Sequence, residues 1–138
     1  MADLASLTND YRPDEGYELQ LRDQNDALLL NDDGTPMTIT VLGTDSDVAV
    51  KAKHQTSNRR LQSGPRAKVT SEGLEADGVN YLSKLTVGWN ITLGGEKPAF
   101  TREAAAKLYA NPRLAFIREQ VDAAIADRGN FLKASPTA

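Results

Sequence analysis

At 138 residues, with 40% hydrophobic and 25% charged side chains, the chain has the size and composition of one soluble globular domain. It has no cysteine, which excludes disulfides, thiolate catalysis, cysteine zinc sites and cysteine-held iron–sulfur clusters, and its single histidine excludes sites built on several imidazoles. The net charge of −3 is unevenly spread: residues 1–47 carry eleven acidic and two basic side chains, residues 48–70 six basic and no acidic ones, and residues 71–138 eight of each. An acidic front and a basic middle can attract each other within a chain, between subunits or toward partners.

In chain order, residues 1–15 are polar, contain Pro13 and lack periodicity, so they read as an extended arm; they have neither the basic start nor the apolar run of a secretory signal. From Gly16 a period of two sets in, with Tyr17, Leu19 and Leu21 alternating with Glu18, Gln20 and Arg22. Asp23–Asp26 is turn chemistry, Leu28–Leu30 a short second strand, and Asn31–Gly34 with Pro36 a second turn in which Gly34 supplies positive φ. Met37–Leu42 is a third β-rich run, with Ile39 and Val41 on one side. Together, 16–43 predict a small antiparallel sheet or hairpin whose apolar face needs covering.

Gly43 ends the strand, and Thr44 caps a helix over 45–62, with Asp45 and Asp47 in its first turn. The apolar side of that helix is thin, and the basic residues Lys51, Lys53, Arg59, Arg60, Arg66 and Lys68 run through it into the Ser63-Gly64-Pro65 break, making 44–68 a helix and basic linker. A second helix is expected from Val69 to about Thr86, on the spacing of Leu74, Tyr81, Leu82 and Leu85. Val87, Trp89, Ile91 and Leu93 then alternate as a short strand before Gly94-Gly95. Thr101 caps a helix that Asn111-Pro112 ends, and Asn111 caps a last helix over 112–128 with Leu114, Ile117, Val121, Ala124 and Ile125 on one face and Gly129 closing it. Residues 69–131 thus form a helical body, 132–138 a tail, and the whole a single α+β domain of one small sheet and about four helices, with Trp89 near their junction.

No group of side chains has a plausible catalytic arrangement. His54 lies between Lys53 and Gln55 and reads as an exposed side chain; Asp32-Asp33-Gly34 lacks the further ligands of a calcium loop; Gly94-Gly95-Glu96-Lys97 lacks the glycine spacing of a phosphate loop. The basic segment 51–68 has no aromatic residue for base stacking and no recognition helix, which argues against nucleic acid and for a protein contact or a paired, solvated face. Trp89, Phe100, Tyr109, Phe116 and Phe131 read first as core anchors. No apolar run approaches the ~20 residues that span a bilayer.

The C-terminal half resembles the tail assembly chaperones of long-tailed bacteriophages. The similarity lies in Leu85-Thr86-Val87-Gly88-Trp89, the Gly-containing turn, Phe100-Thr101-Arg102-Glu103-Ala104-Ala105, Leu108-Tyr109, Asn111-Pro112 and a last amphipathic helix ending near Phe131. Upstream, Val41-Leu42-Gly43-Thr44-Asp45-Ser46 followed by Arg59-Arg60 is similar to the Gly-x-Asp-Ser start of the same small phage proteins. The acidic arm and the rest of the basic segment lie outside the resemblance.

The resemblance implies a non-enzymatic protein of the infected cell's cytoplasm, without cofactor or metal, that keeps the helical tape measure protein soluble and recruits tail tube protein around it. Binding through apolar side chains of the last two helices is expected, and the candidate contact residues are Trp89, Phe100, Leu108, Tyr109 and Phe116, with Arg59 and Arg60 from the basic segment. Homo-oligomers fit the charge asymmetry. A virion structural protein of head, neck or tail and a small phage nucleic-acid-binding protein are the alternative expectations.

Overall fold

The computed structural model describes residues 3–64 and 69–132. The expected basic linker residues Arg66 and Lys68 and nearly all of the expected tail lie outside those bounds. In chain order come α1 (Leu4–Asp10), β1 (Tyr17–Gln20), β2 (Thr38–Val41), α2 (Asp47–Gln62), α3 (Ser71–Leu85), β3 (Thr86–Asn90), α4 (Arg102–Ala110) and α5 (Ala115–Ala126), with 3-10 turns at Pro112–Leu114 and Arg128–Phe131. The class is α+β, as expected.

The sheet is antiparallel in the order β1-β2-β3. Leu19, Ile39 and Trp89 stand opposite one another across its three strands, as do Tyr17, Val41 and Thr86, with a register shift between Thr40 and Val41. Opposed residues share a face. Ile39 and Val41 are fully buried on it, so the period-two reading of 37–42 holds. Leu28–Leu30, expected as the second strand, is not a strand of this sheet. That run makes only single bridges, Arg22 to Leu28 and Leu30 to Pro36, and leaves Leu28 and Leu30 exposed. Two tight turns bracket it so closely that only Leu29 tucks against the core. Thr86–Asn90 takes the vacant edge of β2, so the sheet is not strictly N-terminal.

α2 and α3 pack antiparallel, with Arg59 and Arg60 beside Asp77 and Lys84 beside Gln55. α2 buries only Ala49 and Ala52, small side chains that let its backbone approach its neighbours. Its N-cap is Ser46, two residues later than expected. The buried Ser46 hydroxyl accepts from Ala49 N at 3.2 Å and donates to Gly43 O at 2.7 Å. Thr44 instead accepts from Lys53 Nζ, through both its hydroxyl and its carbonyl.

Thr101 caps α4 as expected, its hydroxyl accepting from Ala104 N. Asn111 does cap the following turn, but Pro112–Leu114 is 3-10 and the α-helix begins at Ala115. Gly129 is not a left-handed helix end; α5 stops at Ala126, and the Asp127 carboxylate accepts from Gly129 N to start the last 3-10 turn. Ile117, Val121, Ala124 and Ile125 of α5, Leu82 and Leu85 of α3, and Leu108 and Tyr109 of α4 form one core with Ile39 and Val41.

The expected extended arm contains a helix. Asp3 caps α1 by accepting from Ala5 N, yet α1 buries no residue. Beyond it the chain is held firmly: Arg12 N donates to Phe131 O and Gly43 N to Pro13 O, each at 2.8 Å. Gly43 is squeezed there. A Cβ would lie 3.0 Å from Pro13 Cβ and 3.1 Å from Phe131 Cδ2, both on packed groups. Gly43→Val accordingly lowers stability by about 1–3 kcal/mol through overpacking, read as a lower urea midpoint at unchanged slope.

Candidate functional site

The residues expected to contact a partner occupy three different settings. Trp89 and Phe100 stand edge to face, ring centres 5.2 Å apart, and the indole Nε1 donates to Pro98 O at 3.0 Å. Both are half-buried, and they fold the 91–100 loop back onto the end of β3. Phe116 is half-buried against the same core. Leu108 and Tyr109 are not surface residues. Tyr109 is 1% exposed and shares a hydrogen bond of 2.7 Å with the Thr86 hydroxyl, and its burial raises its pKa to about 12. These two side chains anchor α4 and are withdrawn from any contact surface.

Arg59 and Arg60 converge on one carboxylate, Asp77 of α3, and hold it below the usual carboxylate range. Both guanidinium groups stay about half exposed. With Lys53 tied to Thr44, much of the described part of the basic segment is engaged within the chain. His54 is exposed, and Asp33 sits in a turn where Lys97 and Thr35 hydrogen-bond it and lower its pKa.

Arg59 and Arg60 line a shallow cleft with Val69, Leu74 and Asp77, and a further cleft is lined by none of the expected residues. α3 and α5 flank an open cleft of about 490 Å³. Leu74, Val79, Tyr81 and Leu82 supply its apolar lining, and Glu75, Arg118, Glu119 and Asp122 its charged rim. Arg118 pairs with Glu75 across it at 3.2 Å. On the other flank of α3 a second shallow cleft, against α4, is lined by Ala76, Val79, Ala106 and Ala110 among others. Val79 lies on the ridge between the two. The signal in the sequence is the breadth of the apolar arc on α3: Leu74, Val79, Tyr81, Leu82 and Leu85 cover more of the helix than one packed neighbour needs.

A second polar cluster joins both ends of the chain. Tyr11 donates its hydroxyl to Asp45 Oδ2 at 2.5 Å, and Arg128 donates to both oxygens of the same carboxylate, at 2.6 and 3.3 Å. Asp45 therefore acts as a clasp rather than as first-turn support for α2. Arg128, then Tyr11, pull its pKa down to about 2, while burial and the carboxylate push Tyr11 up to about 12.

The two groups have opposite pH signs. The stabilisation from Asp45 is present above the unfolded carboxyl value of about 4 and is lost as pH falls toward 2. That from Tyr11 is present below the unfolded phenol value of about 10 and is lost as pH rises through 12. Both sides of the pair remain in contact with solvent, so Asp45→Asn costs less than about 1 kcal/mol at neutral pH. The expected result is a flatter acid limb of the stability curve for Asp45→Asn, measured by denaturant midpoint between pH 2 and 5.

Among the described residues no group of three or more His, Asp or Glu side chains is placed to hold a metal ion, and no helix is long and apolar enough to cross a membrane. No protein family matches the chain, and neither a characterised protein nor a solved structure is similar to it.

Proposed function

We propose that the protein is a non-enzymatic tail assembly chaperone of a long-tailed bacteriophage, which holds an amphipathic helix of the tape measure protein in the α3–α5 cleft while tail tube subunits are recruited. The observation that carries the reading is the cleft itself, with its apolar lining and charged rim. An apolar stripe on a long unassembled helix is an aggregation hazard until covered, and helix-in-groove recognition covers it with anchors one turn apart.

The rim refines the expected occupant. Arg118 and Glu75 neutralise each other, which leaves Glu119 and Asp122 as net negative charge. A helix that seats well there carries lysine or arginine beside its apolar stripe. The basic segment offers no aromatic side chain for base stacking, so nucleic acid is the weaker reading.

Co-expression with the phage's tape measure protein and tail tube protein, followed by pull-down and mass spectrometry of finished particles, tests the proposal. Capture of tape measure protein with absence from virions is the expected result. Stoichiometric presence in virions without such capture overturns it in favour of a structural component of the particle.

A further inference from the structure

α1 is a helix without a partner. It spans seven residues and buries none of them, and Leu4 and Leu7, spaced to lie on one face, are 79% and 51% exposed. Helices shorter than about 12 residues persist poorly without tertiary contacts, so something that covers those leucines stabilises α1. The segment is also purely acidic in charge: Asp3 and Asp10 flank the leucines, and neither forms an ion pair among the described residues.

The complementary surface lies on the same chain. At the far end of the α2–α3 pair, Val69 is 69% exposed and lines a shallow cleft with Arg59, Arg60 and Asp77, and Leu61, the next residue of α2 after Arg60, is 79% exposed. Beside them Arg59 and Arg60 share a single counter-charge, Asp77, and leave one positive charge unbalanced. A chain's own α1 cannot reach this end. Tyr11, just past α1, is fastened to Asp45 at the start of α2. At 1.5 Å per residue, Leu61 lies about 21 Å along α2 from Asp47, whereas Leu4 lies only about 9 Å along α1 from Asp10.

We propose that α1 of one copy docks on the α2–α3 tip of a second copy, with Leu4 and Leu7 against Leu61 and Val69, and with Asp3 and Asp10 beside Arg59 and Arg60. Donor and acceptor surfaces differ, so two copies either exchange arms about a two-fold axis or link head to tail into a ring or an open chain of subunits. Leu74 borders both the acceptor end and the α3–α5 cleft, whereas Leu4 and Leu7 line neither, so L4D/L7D tests self-association apart from helix capture.

The test is sedimentation velocity on the full chain across a range of concentrations at low and moderate salt. The wild-type protein is expected to self-associate, less strongly at the higher salt because exposed charges are screened. L4D/L7D loses the donor and L61D/V69D the acceptor. Each alters only exposed positions, each keeps the wild-type circular dichroism, and each associates at least tenfold more weakly alone. A mixture of the two restores one intact junction and stops at a dimer. A wild-type protein that stays monomeric throughout, variants that associate like wild type, or a mixture that forms no dimer overturns the proposal.

Discussion

Alanine in place of Tyr109 lowers the stability of the fold by about 3–5 kcal/mol, a large share of the roughly 5–15 kcal/mol that holds a domain of this kind together. Among the described residues Tyr109 is the largest fully buried side chain, and it joins α4 to the junction of α3 and β3. Its truncation leaves a cavity among residues from several elements, which cannot all collapse inward. It also deprives the Thr86 hydroxyl of a neighbour, although that hydroxyl still donates to Leu82 O at 2.8 Å. Tyr109→Phe keeps the ring and loses only the shared hydrogen bond, so its cost is about 1 kcal/mol. Urea denaturation followed by the fluorescence of Trp89, the sole tryptophan, reads both. A Tyr109→Phe variant as unstable as Tyr109→Ala would show that the hydroxyl, not the packing, anchors α4. Unchanged partner capture by Tyr109→Phe would agree with a core role for this side chain.

Where structure is local, the residues announce it. Ile39 and Val41 alternate with threonines and lie on the buried face; Thr101 precedes an alanine run and caps α4; Asn111-Pro112 breaks the helical body where expected. Each of these is decided by a few neighbouring side chains. What the residues do not announce is long-range choice. β2 has Leu28–Leu30 close by in sequence, yet it pairs with Thr86–Asn90, because that strand brings Trp89 opposite Ile39 while Leu28 and Leu30 can bury little between two tight turns.

The same distinction governs the site. Trp89 and Phe100 do meet, and Arg59 and Arg60 do act together, but on an intramolecular carboxylate. Tyr109 and Leu108 carry the features of contact residues, large and apolar on an amphipathic helix, and those features serve equally well to fill a core. The cleft requires two helices that are distant in sequence to flank a gap, and periodicity along either one cannot say how far apart they settle. Asp45 likewise matches a first-turn acid until Arg128, 83 residues on, is folded beside it.

Charge introduced at Leu74 is expected to abolish helix capture while sparing the fold. Leu74 lines the α3–α5 cleft and is 49% exposed, so it contributes little to the core, and Leu74→Glu changes stability by less than about 1 kcal/mol. In the proposed complex the same position is covered by the occupant's apolar stripe, and desolvating a carboxylate against apolar groups is strongly unfavourable. The expected loss of affinity for a tape measure helix is at least tenfold, about 1.4 kcal/mol, and more if the site is fully desolvated. Arg118→Glu acts differently: it removes the one cation of the rim, so it strengthens the preference for a basic occupant and increases the salt dependence of binding. Titration calorimetry with tape measure peptides separates the two effects. If Leu74→Glu and the wild type bind such peptides equally well while Trp89→Ala does not, the contact surface lies at the Trp89–Phe100 pair and the α3–α5 cleft is not the site.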